Sequence, residues 1–243
     1  MKIVLYNIGY STGLKGSLKE YFLKFWRYLW IPKETVVKIA KFLRKQNADV
    51  ICLLETDVGS IRNRFRSQAK TIARKLRIAF LKTSSKYHPN SWFKKLPFFH
   101  KHHDAVLSKR PGEIIQYYLR NGMGTLVQEF VINNISIFTV HLGLFRKNLR
   151  KLQLKELAHI IKGCQRPYLV CGDFNIFDGL EEIRDFLNET RLKLIQKNPT
   201  FPSINPKRPL DLIMACESIR VKAAGVLDAL FSDHLPVYVE IES

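Results

Sequence analysis

The sequence predicts a single α/β domain whose strands form one large sheet or two packed sheets, and three observations predict it. The chain of 243 residues is 46% hydrophobic, enough for one sizeable core. Short apolar runs free of charge, such as Tyr168-Leu169-Val170, alternate with longer amphipathic stretches, the pattern of strands and covering helices. Asn, Glu, His and Asp stand where the strand-like runs end, and the ends of strands that share a sheet lie together. No linker, low-complexity tract or internal repeat divides residues 1–243.

Residues 2 to 8 read as a buried first strand that delivers Asn7 at its C-terminal end. Residues 17 to 30 read as helical and set Tyr21, Phe22, Phe25, Trp26, Tyr28, Leu29 and Trp30 among Lys19, Lys24 and Arg27. That is more aromatic surface than packing usually needs. Three roles fit it: a helix packed on the core with a basic outer face, a lid or stacking platform for a substrate, or an interfacial membrane anchor. Residues 34 to 46 form a clearer amphipathic helix with Val36, Val37, Ala40 and Leu43 on one face. The run from Asp49 to Leu54 is a second buried strand, and Glu55 stands at its exit. Residues 60 to 77 predict a surface helix whose run of Arg and Lys, Arg62 among them, is a solvated face first and a specific phosphate track second.

From 84 to 103 the periodicity is lost around Pro89, Trp92 and Pro97, which predicts a long loop. His100, His102 and His103 fall in it, at a spacing that matches no metal motif. Strand-like pieces at 104–108, 113–119 and 125–131, separated by Arg110-Pro111-Gly112 and Asn121-Gly122-Met123-Gly124, predict antiparallel pairing. Asn133-Asn134 joins the last of them to 135–140, which His141 follows at once. A helix over 146–162, with Leu149, Leu152, Leu157 and Ile160 at helical spacing, precedes the strand 168–172. A helix over 179–189, a Pro-rich loop, a strand from Leu210 that bears Asp211, and a final alternating strand to Glu240 complete the order.

Forty Lys and Arg oppose 21 Asp and Glu, and the formal charge of +19 predicts a surface that attracts polyanions. Nucleic acid is the first expectation and anionic membrane or phospholipid the second; no protein partner is expected. Cys52, Cys164, Cys171 and Cys216 show no C-x-x-C spacing and two sit in apolar runs, so buried free thiols are expected rather than disulfides or zinc. The opening residues 2–6 are too short and too soon polar for a secretory leader, and no apolar run approaches the length of a membrane span. The expectation is a soluble, cytoplasmic protein in a reducing compartment.

The sharpest chemical signal is Cys171-Gly172-Asp173-Phe174-Asn175. Two residues apart on extended chain, Asp173 and Asn175 can face the same way and hold a divalent metal, a water and a phosphate oxygen together. A strand followed by an Asx-turn would use the same residues. Asn7, Glu55, His141, Asp173, Asn175, Asp211, Asp233 and His234 nearly all stand at strand ends or just past them, a coincidence that chance explains poorly.

In order and local context, several pieces resemble the endonuclease/exonuclease/phosphatase superfamily, the metal-dependent phosphoesterases related to deoxyribonuclease I. They are Tyr6-Asn7-Ile8, Leu54-Glu55-Thr56, Thr139-Val140-His141-Leu142, Gly172-Asp173-Phe174-Asn175, Arg208-Pro209-Leu210-Asp211 and Ser232-Asp233-His234-Leu235-Pro236-Val237, and they span nearly the whole chain. The resemblance implies a four-layer α/β/β/α sandwich with two mixed β-sheets packed face to face. It implies that Glu55, helped by Asn7, holds Mg²⁺ or Mn²⁺ and that Asp233 supports a metal. It further implies that Asp211 orients His234, which with Asp173 deprotonates or aligns the attacking water, and that Asn175 holds a phosphate oxygen. His141 would hydrogen-bond the scissile phosphate and protonate the leaving oxygen.

The implied activity is divalent-metal-dependent phosphoester hydrolysis. A phosphodiesterase or nuclease acting on nucleic acid leads; phospholipid head groups, inositol phosphates or other small phosphates are the alternative substrates, and a basic binding protein on the same fold is the non-enzymatic alternative. Two positions depart from the family pattern: Leu54 stands where glutamine often precedes the metal-binding glutamate, and His103-Asp104 stand where glycine-asparagine is common. His141 is similar to the branch of deoxyribonuclease I, sphingomyelinases and inositol-phosphate phosphatases rather than to abasic-site repair.

Overall fold

The computed structural model describes residues 1–96, 99–123, 125–144 and 146–242. Pro97 and Gly124, which the sequence assigns to a loop and a turn, lie outside them. Among the described residues twelve strands form two six-stranded sheets. In spatial order the first sheet holds β11 (Val221–Val226), β12 (Val237–Ile241), β1 (Lys2–Asn7), β2 (Val50–Asp57), β4 (His102–Ser108) and β3 (Phe80–Ser85). The second holds β5 (Glu113–Tyr118), β6 (Leu126–Ile132), β7 (Ile135–His141), β8 (Tyr168–Asp173), β10 (Asp211–Ala215) and β9 (Lys193–Gln196). Each sheet is mixed, with one parallel pair: β1 with β2, and β7 with β8.

Alternation along these strands decides the layers. Ile3 and Leu5 of β1, Val50, Cys52 and Leu54 of β2, Leu169 and Cys171 of β8, and Ile213 of β10 meet between the sheets. The intervening residues Val4, Tyr6, Ile51 and Leu53 face α2 (Lys33–Gln46) and α3 (Gln68–Leu76). On the far side Phe138, Val140, Val170 and Leu212 face α4 (Lys147–Lys162) and α5 (Arg184–Thr190). Three apolar cores between four layers give the α/β/β/α sandwich that the resemblance implies.

At Gly172 the backbones of the second sheet approach closely. A Cβ there would stand 2.2 Å from the Val140 carbonyl oxygen, so the β7–β8 pair closes only on glycine. Gly172→Ala is expected to lower stability by about 3 kcal/mol, read from the denaturant midpoint, because the obstruction is backbone and cannot swing away.

The structure corrects several expectations. β3, β9 and β11 carry no clean alternation and were not expected. Residues 17–30 do not form one helix: α1 (Leu18–Leu23) ends at Lys24 and a 3-10 turn, Phe25–Tyr28, follows. Residues 60–77 likewise break into a 3-10 turn and α3, and Arg62 is buried, its Nε donating to Asp57 Oδ2 at 2.9 Å. The face of α4 is shifted from the predicted one, with Leu154, Leu157 and Ile161 buried and Leu152 exposed; in α2, Val37 is exposed and Ile39 takes its place inside. β5, β6 and β7 pair antiparallel as expected, but Arg110-Pro111-Gly112 carries the chain from one sheet to the other, so β4 and β5 do not pair. His102 belongs to β4, with Nε2 3.0 Å from Arg62 Nη2 and Nδ1 3.3 Å from the Tyr87 hydroxyl.

Candidate active site

Four of the sequence-predicted residues arrive by simple alternation. Asn7, His141, Asp173 and Asp211 have the same parity along their strands as the residues that fill the inter-sheet core. Each strand therefore hands its core face, at one end of the sandwich, to a polar group. The registers align them: Asp173 lies opposite His141 on one side and Asp211 on the other. Asn7 reaches across from the first sheet, its Nδ2 donating to Asp173 Oδ2 at 3.0 Å.

Glu55 arrives by a different route. Plain alternation after Leu54 would send it outward with Leu53, toward the helices. Instead the β2–β4 register shifts between Leu53 and Thr56, and Glu55 takes φ 55°. This bulge turns its carboxylate to the site. Asp104 braces the turn by accepting the Glu55 N–H at 3.0 Å, which gives a purpose to one of the departures from the family pattern.

At the centre Asp173 is buried. Its Oδ1 accepts the Asn175 N–H at 3.0 Å, and its Oδ2 lies 3.6 Å from His141 Nε2 and 3.7 Å from His234 Nε2. Burial, only partly offset by His234, pushes its carboxyl up to about 7. His234 Nδ1 donates to Asp211 Oδ2 at 2.7 Å, and the same oxygen accepts from Thr200 Oγ1 at 2.6 Å. Burial alone would lower the imidazole of His234; the Asp211 and Asp173 carboxylates outweigh it and hold the ring protonated well above its ordinary range.

His141 behaves in the opposite way. Lys86 Nζ, which can only donate, lies 2.8 Å from its Nδ1, so the proton of the neutral ring sits on Nε2 and points at the cluster. Burial first, then Lys86 and His234, lower its pKa well below the ordinary value, which makes it a hydrogen-bond donor rather than a cation. Lys86 carried no signal in the sequence: it follows β3 among serines, one lysine among many. Lys86→Met should lower kcat by about 10- to 100-fold and raise the His141 pKa, read from the imidazole NMR titration, while burial still holds it low.

Asn175, at φ 50°, donates Nδ2 to the Leu142 carbonyl at 2.8 Å; an amide NH2 carries two hydrogens, so this fixes its direction without using up its capacity to donate. Asp233 lies in the loop before β12, its Oδ2 accepting the Tyr21 hydroxyl at 2.5 Å and its Oδ1 the Ser232 hydroxyl at 3.0 Å. Tyr21, a second participant that the sequence did not single out, thereby ties α1 to the site.

A hard divalent cation fits this donor set. Among the described residues the Glu55 carboxylate accepts no hydrogen bond; Lys86 Nζ and His141 Nε2 stand 3.8 and 3.7 Å away, and burial raises its pKa. Such an oxygen gains from a cation. Asp211 Oδ1 is also buried without a partner among the described residues. Asp173, Asp211 and His234 each bring an atom within 4.8 Å of the others. The His234–Asp211 bond uses Nδ1 of the one and Oδ2 of the other and leaves His234 Nε2 and Asp211 Oδ1 outside it.

The endonuclease/exonuclease/phosphatase family model matches residues 6–234. No curated protein sequence matches the chain. Among solved structures, an endonuclease/exonuclease/phosphatase family protein from Leptotrichia buccalis has a TM-score of 0.71 at 16% identity, with all of both chains covered. A mannosyl-6-phosphatase from Bacteroides thetaiotaomicron has a TM-score of 0.66 at 15% identity, again with both chains fully covered. The human Nocturnin catalytic domain, with a bound sulfate anion, has a TM-score of 0.65 at 18% identity, covering 100% of this chain and 93% of that one. At these identities the structures speak for the fold. With the model spanning both sheets and every polar strand end described above, the chain belongs to the endonuclease/exonuclease/phosphatase family.

Proposed function

We propose that the chain hydrolyses phosphodiesters by attack of an activated water, with Mg²⁺ or Mn²⁺ bound through Glu55. The observation that carries this reading is the convergence on Asp173 Oδ2 of His141 Nε2, His234 Nε2 and Asn7 Nδ2 at 3.6, 3.7 and 3.0 Å. Asp173, with a carboxyl near neutrality, is the group able to take a proton from water. His234, held protonated by Asp211, and His141, held as a neutral donor by Lys86, frame the position of an anionic oxygen and donate to it. Asn7 and Asn175 hold Asp173 in place, and Asn175 adds a donor for a second phosphate oxygen. Bound at Glu55, with Asn7 and Asp233 near, the cation would supply charge to offset that developing on the phosphoryl oxygens.

Two substrate classes suit a charge of +19, nucleic acid and phospholipid head groups. The second gains support from exposed apolar side chains on α1 and the turn after it, beside the site. Hydrolysis with Mg²⁺ of single- and double-stranded DNA, RNA, phospholipid vesicles and inositol phosphates tests both readings. Turnover of at least one phosphodiester is expected; no turnover of any, with the protein folded, would leave the basic binding protein.

A further inference from the structure

Phe22, Leu23, Phe25, Trp26, Leu29 and Trp30 all expose large apolar surface on α1 and just beyond it, Phe22 being 83% exposed. None of these is the core residue that the first of the three readings of this stretch required. The loop after β2 adds Ile61 and Phe65, the latter 77% exposed. The two segments are fastened together. Ile31 N donates to the Arg62 carbonyl at 3.1 Å, Arg64 Nη1 donates to the Ile31 carbonyl at 3.1 Å, and the Arg64 guanidinium lies 4.3 Å from the centre of the Trp30 ring. An apolar face of this extent is rare on a soluble monomer without a partner for it.

Next to it, between the start of α2 and α3, lies an open groove of about 680 Å³ lined by Lys33, Arg66, Lys70, Arg74 and Lys75, with no Asp or Glu among its lining residues. The inner side of the same N-terminal segment belongs to the catalytic cleft, where Tyr21 holds Asp233 and where Asp233 and Glu55, after burial, raise the Tyr28 hydroxyl. Apolar face, basic groove and cleft are thus neighbours.

We propose that this face docks on an anionic phospholipid bilayer, its aromatic and aliphatic side chains entering the boundary between head groups and acyl chains while the basic groove lies on head-group phosphates. Three observations select this occupant. Leu23, Leu29 and Ile61 are exposed alongside the aromatic rings; aliphatic side chains offer nothing to a stacked base but partition readily into acyl chains. Trp, Tyr and Phe beside Lys and Arg is the side-chain mixture of a membrane–water interface. A second copy of the chain would bring the same cationic groove and a second +19 charge to the contact, which opposes self-association. No helix among the described residues is long and apolar enough to cross a membrane, and the docking proposed is interfacial. It stands apart from the reaction: the face would bind vesicles even if the cleft hydrolysed nothing.

Co-sedimentation of the full chain with vesicles of phosphatidylcholine alone, and of equimolar phosphatidylcholine and phosphatidylglycerol, tests the proposal. Partitioning to the anionic vesicles is expected to be at least about tenfold stronger than to the neutral ones. The combined variant Phe22→Ser/Phe25→Ser/Leu29→Ser/Phe65→Ser should lose at least about tenfold of it, while its Tm stays near that of the parent because these side chains are exposed. Lys70→Glu/Arg74→Glu should remove the preference for anionic vesicles. A parent chain that stays in the supernatant would overturn the proposal, as would a serine variant that is folded and sediments like the parent. Loss of single-stranded oligonucleotide binding, or of a dimer, in the serine variant with vesicle binding unchanged would assign the face to nucleic acid or to a second copy instead.

Discussion

Asp173→Asn is expected to lower kcat for phosphodiester hydrolysis by about 10³-fold or more, with KM little changed. The substitution keeps the shape of the side chain and an oxygen for the Asn175 N–H, but it removes the one group placed to accept a proton between His141 and His234. The same change puts an NH2, which cannot accept, where Oδ2 takes the Asn7 Nδ2 hydrogen bond, so one buried hydrogen bond is lost. The carboxyl of Asp173 is raised from 3.8 to about 7, so the folded chain holds the proton more tightly than the unfolded chain does. Its linkage contribution to stability is therefore fully present below the unfolded value and is lost as pH rises through about 7. At pH 8 the charged form is a burden on the folded state that the neutral amide relieves, so the Tm deficit left by the lost Asn7 bond should be smaller at pH 8 than at pH 5. Thermal melts of both proteins at pH 5 and pH 8, set beside the kinetics, check this. A drop in Tm that tracks the loss of activity would show that the rate fell because the site collapsed.

The largest expected effect on stability lies outside the cluster. Arg150 on α4 and Glu182 form a buried fork, Nε to Oε2 and Nη2 to Oε1 both at 2.9 Å, with side chains 4% and 2% exposed. Nη1 of the same guanidinium donates to the Leu144 carbonyl at 3.0 Å and to that of Gly143 at 3.3 Å, and these residues follow His141 and Leu142 directly. Arg150→Met keeps the bulk but leaves the Glu182 carboxylate buried without its counter-charge. Breaking such a pair from one side costs about 3–5 kcal/mol, which for a chain of this length is a fall in Tm of about 10 °C. Replacing both partners, Arg150→Met with Glu182→Leu, should recover most of the loss, since no charge is then stranded. Differential scanning calorimetry of the single and double variants separates the outcomes; equal Tm values for all three proteins would mean that the fork is ornamental.

How much of this was readable in the sequence depends on the route by which each residue reaches the site. Asn7, His141, Asp173 and Asp211 were legible because strand alternation carries the core face to the strand end, and an apolar run followed by a polar residue of the right parity reveals where it points. Glu55 was legible as a residue at a strand exit, but the bulge that aims it inward leaves no mark on hydropathy; alternation alone would have sent it to the helices. Lys86 and Tyr21 were not legible as site residues. Each reaches the cluster from a long-range packing arrangement, and in a chain with 40 basic residues one useful lysine has no local signature. Arg62 lies in a charge run that reads as a solvated face, whereas it is buried against a carboxylate, as is Arg150 on α4, because a helical charge pattern does not say where the partner lies. The stretch 17–30 shows the same limit from the apolar side: composition announced an unusual aromatic content, and only the fold decides that those rings lie outside.

The most direct test of the central claim is the rate of bis(p-nitrophenyl) phosphate hydrolysis by the chelator-dialysed protein as Mg²⁺ is returned, run side by side for the parent, Glu55→Gln and Asp173→Asn. The parent should be inactive after dialysis and regain its rate with added cation, Glu55→Gln should need at least about tenfold more Mg²⁺ for half its maximal rate, and Asp173→Asn should stay silent at every concentration. Undiminished turnover by the dialysed parent, or a parent-like titration by Asp173→Asn, would contradict the assignment of Glu55 and Asp173 to the hydrolytic site.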